Sequence, residues 1–177
     1  MISKTLRQKA GPISLAVFDV DGVMTDGRLY FTSLGDEIKA FNVKDGLGLK
    51  LLREAGIEVA IITGRTSDLV QRRARDLGIT RLVQGREDKV SALRELLQQE
   101  HLQSEQVAYM GDDLPDLAAI RWAGLGVTVA DALPLVQQYA DLTTKARGGE
   151  GAVREFCDWL LTAQDKLTTV LEPYLNP

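Results

Sequence analysis

Residues 15–27 read LAVFDVDGVMTDG, an apolar run that turns abruptly into acidic residues and glycine. Four consecutive apolar residues, Leu15–Phe18, are typical of a strand that is buried on both faces. Runs of this kind recur along the chain, and each is followed by a segment in which apolar residues have helical spacing. This alternation predicts an α/β fold with a mostly parallel central sheet.

The apolar patterns also predict where the elements lie. The further predicted strands are Glu58–Ile62, Arg81–Val83, Gln106–Met110 and Gly126–Val129. The predicted crossover helices are Leu47–Arg53, Asp68–Leu77, Lys89–Gln99 and Asp116–Trp122. A last helix that docks by one face is predicted from the helical spacing of Val153, Phe156, Cys157, Leu160 and Leu161. We therefore expect a Rossmann-like three-layer sandwich, with helices on both faces of the sheet.

Length and composition are those of an ordinary globular protein, with one domain expected over residues 1–177. Apolar residues make up 45% and charged residues 26% of the chain, and the net charge of −4 gives no general attraction to nucleic acid or to anionic lipid. The single cysteine, Cys157, cannot form an internal disulfide, and no signal peptide or membrane-spanning run is recognisable. We expect a cytoplasmic protein with no nucleic-acid or membrane partner.

Residues 27–43 interrupt the alternation of strands and helices. Two strand-like runs, Arg28–Thr32 and Ile38–Val43, enclose the loop Ser33–Glu37, which predicts a β-hairpin. Its apolar side chains point to both faces, and an isolated hairpin is only marginally stable in water. The hairpin therefore needs a partner surface, either on its own domain or on another subunit.

Acidic residues follow two of the predicted strands. Asp19 and Asp21 follow the first strand, and Asp112 follows the strand Gln106–Met110. The carboxyl ends of parallel strands meet at one edge of a sheet, which is where open α/β sheets bind ligands. Carboxylates that meet there repel one another unless a cation neutralises them. An all-oxygen ligand set without a nearby histidine favours Mg²⁺ as that cation.

Other metal, phosphate and nucleophile motifs fit the sequence poorly. An EF-hand loop that begins at Asp19 would have its glycine, Gly22, too early and Tyr30 in place of the last acidic ligand. The segment from Gly22 to Gly27 lacks the Lys-Ser/Thr pair of a Walker loop. His101, the single histidine, lies in a polar stretch away from the predicted strand ends, which disfavours a serine triad.

Nucleophilic catalysis by a carboxylate remains, and the residue types fit each of its steps. Asp19 would attack phosphorus to form an aspartyl-phosphate, and Asp19 and Asp112 would hold Mg²⁺. Asp21 would protonate the departing alkoxide and then accept a proton from water. The phosphoryl oxygens would be bound by Thr63, the backbone of Gly64 and Lys89.

Four segments resemble the motifs of the haloacid dehalogenase superfamily of phosphohydrolases, in the same order. They are DVDGVMTDG (Asp19–Gly27), ITGR (Ile62–Arg65), Lys89 and GDDLPD (Gly111–Asp116). The resemblance implies that Asp19 is the nucleophile and that Asp21 is both the acid/base and a metal ligand through its carbonyl oxygen. It also implies a set of phosphate and metal ligands: Thr63 and Lys89 for phosphate, and Asp112 for the metal with support from Asp113 or Asp116.

Further segments resemble one family within this superfamily. They are the hairpin in place of a cap domain, FNVKDGLGLKLL (Phe41–Leu52), LGI (Leu77–Ile79) and GGEGAVREFC (Gly148–Cys157). Together they resemble the capless phosphatases of 3-deoxy-D-manno-octulosonate (KDO) 8-phosphate, which act in lipopolysaccharide sugar synthesis. That resemblance implies a homotetramer in which the hairpins meet. It also implies that the tail that ends the C-terminal helix and tail region (residues 150–177) can reach a neighbouring active site.

The same resemblance implies how the substrate, a sugar-acid phosphate, is held. Its carboxylate needs a cationic pocket beyond the phosphate site. The implied substrate contacts are Asp21, Asn42, Val43, Lys44, Asp45, Gly46, Lys50, Gly64, Arg65, Arg73 and Lys89. Helical spacing from Arg65 favours Arg72 over Arg73, so this choice stays open. Two other functions also stay open, namely a phosphatase of nine-carbon acylneuraminate or ketodeoxynonulosonate phosphates and a non-catalytic oligomerising module.

Overall fold

The centre of the molecule is a sheet of parallel strands flanked by helices. In the computed structural model, which describes residues 2–176, the strands are β1 (Leu15–Phe18), β2 (Tyr30–Phe31), β3 (Glu37–Ile38), β4 (Glu58–Ile62), β5 (Arg81–Val83), β6 (Val107–Gly111), β7 (Leu125–Thr128) and β8 (Leu142–Thr143). The helices are α1 (Lys4–Ala10), α2 (Val43–Glu54), α3 (Asp68–Asp76), α4 (Lys89–Glu100), α5 (Leu114–Trp122), α6 (Pro134–Tyr139), α7 (Ala152–Ala163) and α8 (Leu167–Leu175). Six strands form the sheet in the order β5-β4-β1-β6-β7-β8, and β2 pairs with β3 alone.

Most predicted elements agree with the structure. Strands β1, β4 and β5 have the predicted bounds, and β6 and β7 are each shifted by one residue. Strand β8 and helices α1, α6 and α8 were not predicted. Strand β8 has only two residues, which is too short to show an apolar period. All five apolar residues that predicted the last helix are buried on α7. The prediction of an α/β fold with a central parallel sheet is therefore confirmed.

The order of the strands decides where a ligand can bind. Strand β1 lies between β4 and β6, and Phe18 pairs with Ile61 on one side and Met110 on the other. The residues that follow these three strands therefore meet at the carboxyl edge of the sheet. Helix α2 packs on α7 and α4 packs on α5, which buries the apolar residues of the sheet. None of the helices within residues 2–176 has both the length and the apolar character needed to cross a bilayer.

The hairpin is shorter than the sequence pattern predicts. Only Tyr30–Phe31 and Glu37–Ile38 pair with each other, in antiparallel fashion. The prediction that the second strand continues through Val43 was wrong, because Val43 is already the first residue of α2. The cause is local. The side chain of Asn42 accepts a hydrogen bond from the amide of Lys44 at 2.8 Å, and this N-cap starts the helix earlier than expected.

Candidate active site

A cavity of about 680 Å³ opens at the carboxyl edge of β1, β4 and β6. Each of these strands delivers a predicted residue to it, because Asp19 follows β1, Thr63 follows β4 and Asp112 follows β6. The other predicted residues that line it are Asp21, Gly64, Arg65 and Lys89. The structure therefore brings the proposed nucleophile, acid/base, metal ligand and phosphate-binding groups together, and their chemical roles stay predictions.

Lys89 links the proposed nucleophile to a buried carboxylate. It is the first residue of α4, and its ammonium nitrogen lies 3.0 Å from Oδ2 of Asp19. The same ammonium donates to Oδ1 of Asp116 at 2.7 Å, and the hydroxyl of Tyr109 donates to that oxygen at 2.8 Å. An ammonium group has three donors, so one remains for an anion in the cavity.

Asp116 is completely buried, and both of its oxygens are occupied. Besides the two donors on Oδ1, the amides of Asp112 and Asp113 donate to Oδ2 at 3.2 and 3.3 Å. Four donors satisfy this carboxylate, so it positions Lys89 and the loop of Asp112 instead of offering a ligand atom. The resemblance left open whether Asp113 or Asp116 supports Asp112. Here Asp116 does so, and Asp113 caps helix α5.

The carboxyl groups of Asp19 and Asp112 hold protons more tightly than ordinary aspartates do. Burial and the negative charge of Asp116 raise the pKa of Asp19 to about 7, against the opposing effect of Lys89. Burial, Asp116 and Asp19 raise the pKa of Asp112 to about 8. The chain's own cations thus leave part of the negative charge in this cavity uncompensated.

The uncompensated carboxylates fit a hard divalent cation. Carboxylate oxygens of Asp19 and Asp112 lie within 4.8 Å of each other, and the satisfied carboxylate of Asp116 lies within the same distance of both. Oδ1 of Asp112 is buried, and no other group among the described residues forms a hydrogen bond with it. A buried polar atom of this kind calls for a partner, and a cation between Asp19 and Asp112 would supply one. Because these ligand atoms are all carboxylate oxygens, the chemistry favours Mg²⁺.

Gly22 allows the loop after β1 to approach the loop after β6. Its φ is +89°, which residues with a side chain rarely adopt. A Cβ atom at this position would clash with the carboxylate of Asp112. Glycine therefore permits the close approach that places Asp112 beside Asp19.

The hairpin brings two charged residues to the cavity edge that the sequence analysis missed. Lys39 donates a hydrogen bond to Oδ1 of Asp21 and lies 3.5 Å from Oε1 of Glu37. Arg65 donates to the same oxygen of Glu37 at 2.8 Å. Glu37 and Lys39 flank Ile38, and residues two apart in extended backbone lie on one face, but the sequence analysis placed Glu37 in the hairpin loop. Their contacts with Asp21 and Arg65 depend on how the hairpin folds back, which the pattern does not encode.

Several predicted substrate contacts lie around a second, smaller cavity of about 160 Å³ beside helices α2 and α3. The predicted residues that line it are Val43, Gly46, Lys50 and Arg73. Arg73 faces α2 and donates to the backbone oxygen of Asn42 at 3.1 Å, whereas Arg72 is exposed. Within the part of the chain that the structure describes, neither arginine lines the large cavity.

The predicted contacts Asp45 and Lys44 have different surroundings. Asp45 is buried against α7, where its Oδ1 accepts a hydrogen bond from the amide of Arg154 at 2.9 Å. Burial raises the pKa of this carboxyl group. Lys44 is exposed at the start of α2. The structure thus gives Asp45 a role in joining two helices, and contact of either residue with substrate stays a prediction.

Comparisons with known proteins decide the family. Residues 80–156 match the haloacid dehalogenase-like hydrolase family. The 3-deoxy-D-manno-octulosonate 8-phosphate phosphatase KdsC of Yersinia pestis is 53% identical over 160 residues, which cover 90% of this chain and 86% of that protein. The chain belongs to the 3-deoxy-D-manno-octulosonate 8-phosphate phosphatase family.

Two solved structures are similar to nearly the whole chain of this member of the KDO 8-phosphate phosphatase family. The phosphatase of Moraxella catarrhalis, solved in complex with a magnesium ion, a phosphate ion and a KDO molecule, has a TM-score of 0.93 and 45% identity, covering 95% of this chain and 97% of that one. The probable YrbI family phosphatase of Pseudomonas syringae pv. phaseolica has a TM-score of 0.96 and 54% identity, covering 99% of each chain.

Proposed function

We propose that this chain is a Mg²⁺-dependent phosphatase that hydrolyses KDO 8-phosphate to KDO and inorganic phosphate. One observation carries the proposal: Asp19, Lys89 and Asp112 meet in one cavity, as a carboxylate nucleophile with a phosphate and a metal site requires. The relative from Moraxella catarrhalis, which was solved with magnesium, phosphate and KDO, indicates the substrate class. In this reading the enzyme serves lipopolysaccharide sugar synthesis.

The reaction proceeds in two displacements at phosphorus. In the first, a carboxylate oxygen of Asp19 forms a bond to phosphorus while the bond to the sugar oxygen breaks, and Asp21 gives its proton to the departing alkoxide. In the second, Asp21 takes a proton from water, and the resulting hydroxide displaces Asp19 to release inorganic phosphate. Asp19 lies beside Lys89, whose charge favours the ionised form that the first step needs.

Charge on the phosphoryl group is balanced by the residues around it. Thr63, the amide of Gly64 and Lys89 line one side of the cavity and would donate to the phosphoryl oxygens. The carboxylates of Asp19 and Asp112 and the carbonyl oxygen of Asp21 would hold Mg²⁺. When bound, Mg²⁺ supplies positive charge that offsets the repulsion between the nucleophile and the phosphate dianion.

The sugar-acid end of the substrate is assigned to the cationic residues and to the start of α2. Arg65 lines the large cavity that contains the proposed phosphate-binding residues. The other assigned contacts are Asn42, Val43, Lys44, Asp45, Gly46, Lys50 and Arg73. Support for them comes from the basic character of the smaller cavity, where Lys50 and Arg73 lie next to apolar side chains.

The proposed domain organisation is one capless domain over residues 1–177 with the hairpin as a flap. Support comes from one continuous core that contains buried residues from Ala10 to Val170. Within the described residues, the chain between β1 and α2 forms no regular elements other than the two strands of the hairpin. The contacts of Lys39 with Asp21 and of Glu37 with Arg65, two residues that line the large cavity, support the proposal that the hairpin is a flap.

We further propose a homotetramer in which the hairpins meet and the tail of one subunit reaches a neighbouring active site. Support comes from exposed apolar side chains on the hairpin, with Phe31, Leu34 and Ile38 all largely accessible in the single chain. At the C-terminus, Tyr174 and Leu175 are also exposed.

Phosphate release from a panel of eight- and nine-carbon ulosonate phosphates, with and without Mg²⁺, tests the function. We expect KDO 8-phosphate to be preferred and EDTA to abolish turnover. Asp19→Asn removes the nucleophile and should lower kcat by about 1,000-fold or more without unfolding the protein. Asp165→Asn, the same change at an exposed aspartate, is the matched control. A preference for a nine-carbon ulosonate phosphate would refute KDO 8-phosphate as the substrate. A Mg²⁺-loaded protein that hydrolyses none of these esters would indicate a non-catalytic module.

A further inference from the structure

Lys39 reaches from the hairpin to the proposed acid/base. We propose that Lys39 is a positioning residue that holds the carboxyl group of Asp21 for proton transfer to and from the cavity. The inference rests on the proposed function, because it assigns a task within that reaction. It deepens the function by giving the hairpin a chemical role in addition to a surface for assembly.

The contacts of Lys39 are those of a buried cation with two specific partners. Its side chain is only 2% exposed, although it directly follows the two-residue strand β3, whose Ile38 is exposed. The ammonium donates to Oδ1 of Asp21 and lies 3.5 Å from Glu37. Burying an ammonium is costly unless it is paired, so both carboxylates are needed to keep Lys39 in this place. Glu37 also binds Arg65, which fixes the hairpin to the other side of the cavity.

The pairing leaves one oxygen of Asp21 available for chemistry. Oδ1 accepts from Lys39, and within the described residues no donor contacts Oδ2. A carboxyl group held through one oxygen keeps the other oxygen free to exchange a proton with a bound substrate. When the phosphorus–oxygen bond to the sugar breaks and the bond to Asp19 forms, that proton moves from Oδ2 to the leaving alkoxide. Without Lys39, Asp21 would rotate freely about its side-chain bonds and would spend less time in the productive orientation.

Two esters with different leaving groups distinguish this role from a structural one. An alkoxide leaving group such as that of KDO 8-phosphate needs the proton, whereas the phenolate of p-nitrophenyl phosphate leaves without it. We expect Lys39→Met to lower kcat for KDO 8-phosphate by about 100-fold and kcat for p-nitrophenyl phosphate by less than about threefold, with KM for either ester nearly unchanged. Lys39→Arg retains the cation and should restore most of the lost kcat.

Two controls isolate the contact. Thr32→Val removes the hydroxyl that accepts from the amides of Leu34 and Asp36, so it loosens the hairpin loop and leaves Lys39 in place. Thr32→Val should change kcat for either ester only slightly. Asp21→Asn should show the same dependence on the leaving group, and adding Lys39→Met to it should cause no further loss, because Lys39 acts through the acid that Asp21→Asn already removes.

The outcomes separate this inference from the proposed function. If the wild type hydrolyses both esters and Lys39→Met slows both equally, or slows neither, the positioning role is refuted and the function stands. If the wild type with Mg²⁺ hydrolyses neither ester, the proposed function itself fails. Circular dichroism checks that the variants fold, and Lys39→Ala, which also removes the donor, provides the same test if Lys39→Met does not fold.

Discussion

Asp112 makes the stability of the metal-free protein depend on pH. Its pKa in the folded protein is about 8, whereas the pKa of an aspartate in an unfolded chain is about 3.9. Between these two values the folded protein keeps a proton that the unfolded chain has released. The free energy of unfolding of the metal-free protein therefore falls as the pH rises from about 4 to about 8. Asp19, with a pKa of about 7, acts in the same direction.

Asp112→Asn removes this pH dependence at its main source. We expect the metal-free variant to be more stable than the metal-free wild type, by an amount that grows by at least about 1 kcal/mol between about pH 5 and about pH 8. Urea unfolding in EDTA at both pH values measures the difference. Near the upper pH, Mg²⁺ should stabilise the wild type and have little effect on the variant. A stability difference that is the same at both pH values would contradict the raised pKa.

The hairpin is the element on which assembly is proposed to depend. Phe31 and Leu34 are 62% and 88% exposed in the single chain, and water contact with such large apolar side chains is unfavourable. We expect the double variant Phe31→Glu, Leu34→Glu to be a monomer, with a mass close to the 19.4 kDa of a single chain. Its circular dichroism spectrum should be unchanged. Light scattering after size exclusion measures the mass.

An exposed leucine on another element is the control for that experiment. Leu135 lies on α6 and is 45% exposed, so Leu135→Glu introduces the same charge on an apolar surface position outside the hairpin. It should leave the mass of the assembly unchanged. A hairpin double variant that keeps the wild-type mass, or a wild type that is itself monomeric at micromolar concentration, would refute assembly through the hairpin.

The same elements show what the sequence could and could not predict. The strands β1, β4 and β6 were recognised because buried parallel strands are continuous apolar runs, and their carboxyl ends must share one edge. This sufficed to bring Asp19 and Asp112 together. The start of α2 was misplaced because apolar Val43 continues the strand pattern, and the decisive signal was the polar cap before it. The contact of Lys39 with Asp21 needed the path of the hairpin, which tertiary packing determines.

At the scale of the whole molecule, the C-terminal tail is proposed to act on a neighbouring subunit. Val170 is the last buried residue of α8, whereas Tyr174 and Leu175 are exposed and add little to the core of their own chain. Deleting residues 172–177 should therefore change kcat or KM for KDO 8-phosphate while leaving the melting temperature and the mass of the assembly nearly unchanged. Steady-state kinetics, thermal unfolding and light scattering measure these quantities.

Combining the tail deletion with the hairpin double variant shows which subunit the tail serves. In a monomer no neighbouring active site exists, so the deletion should have no further effect on kcat or KM once the hairpin substitutions are present. Such non-additivity between distant changes is expected only when both act through one interaction, here the contact between subunits. If the deletion changes the kinetics of the monomer as much as those of the wild type, the tail acts on the active site of its own chain and the proposed exchange between subunits is refuted.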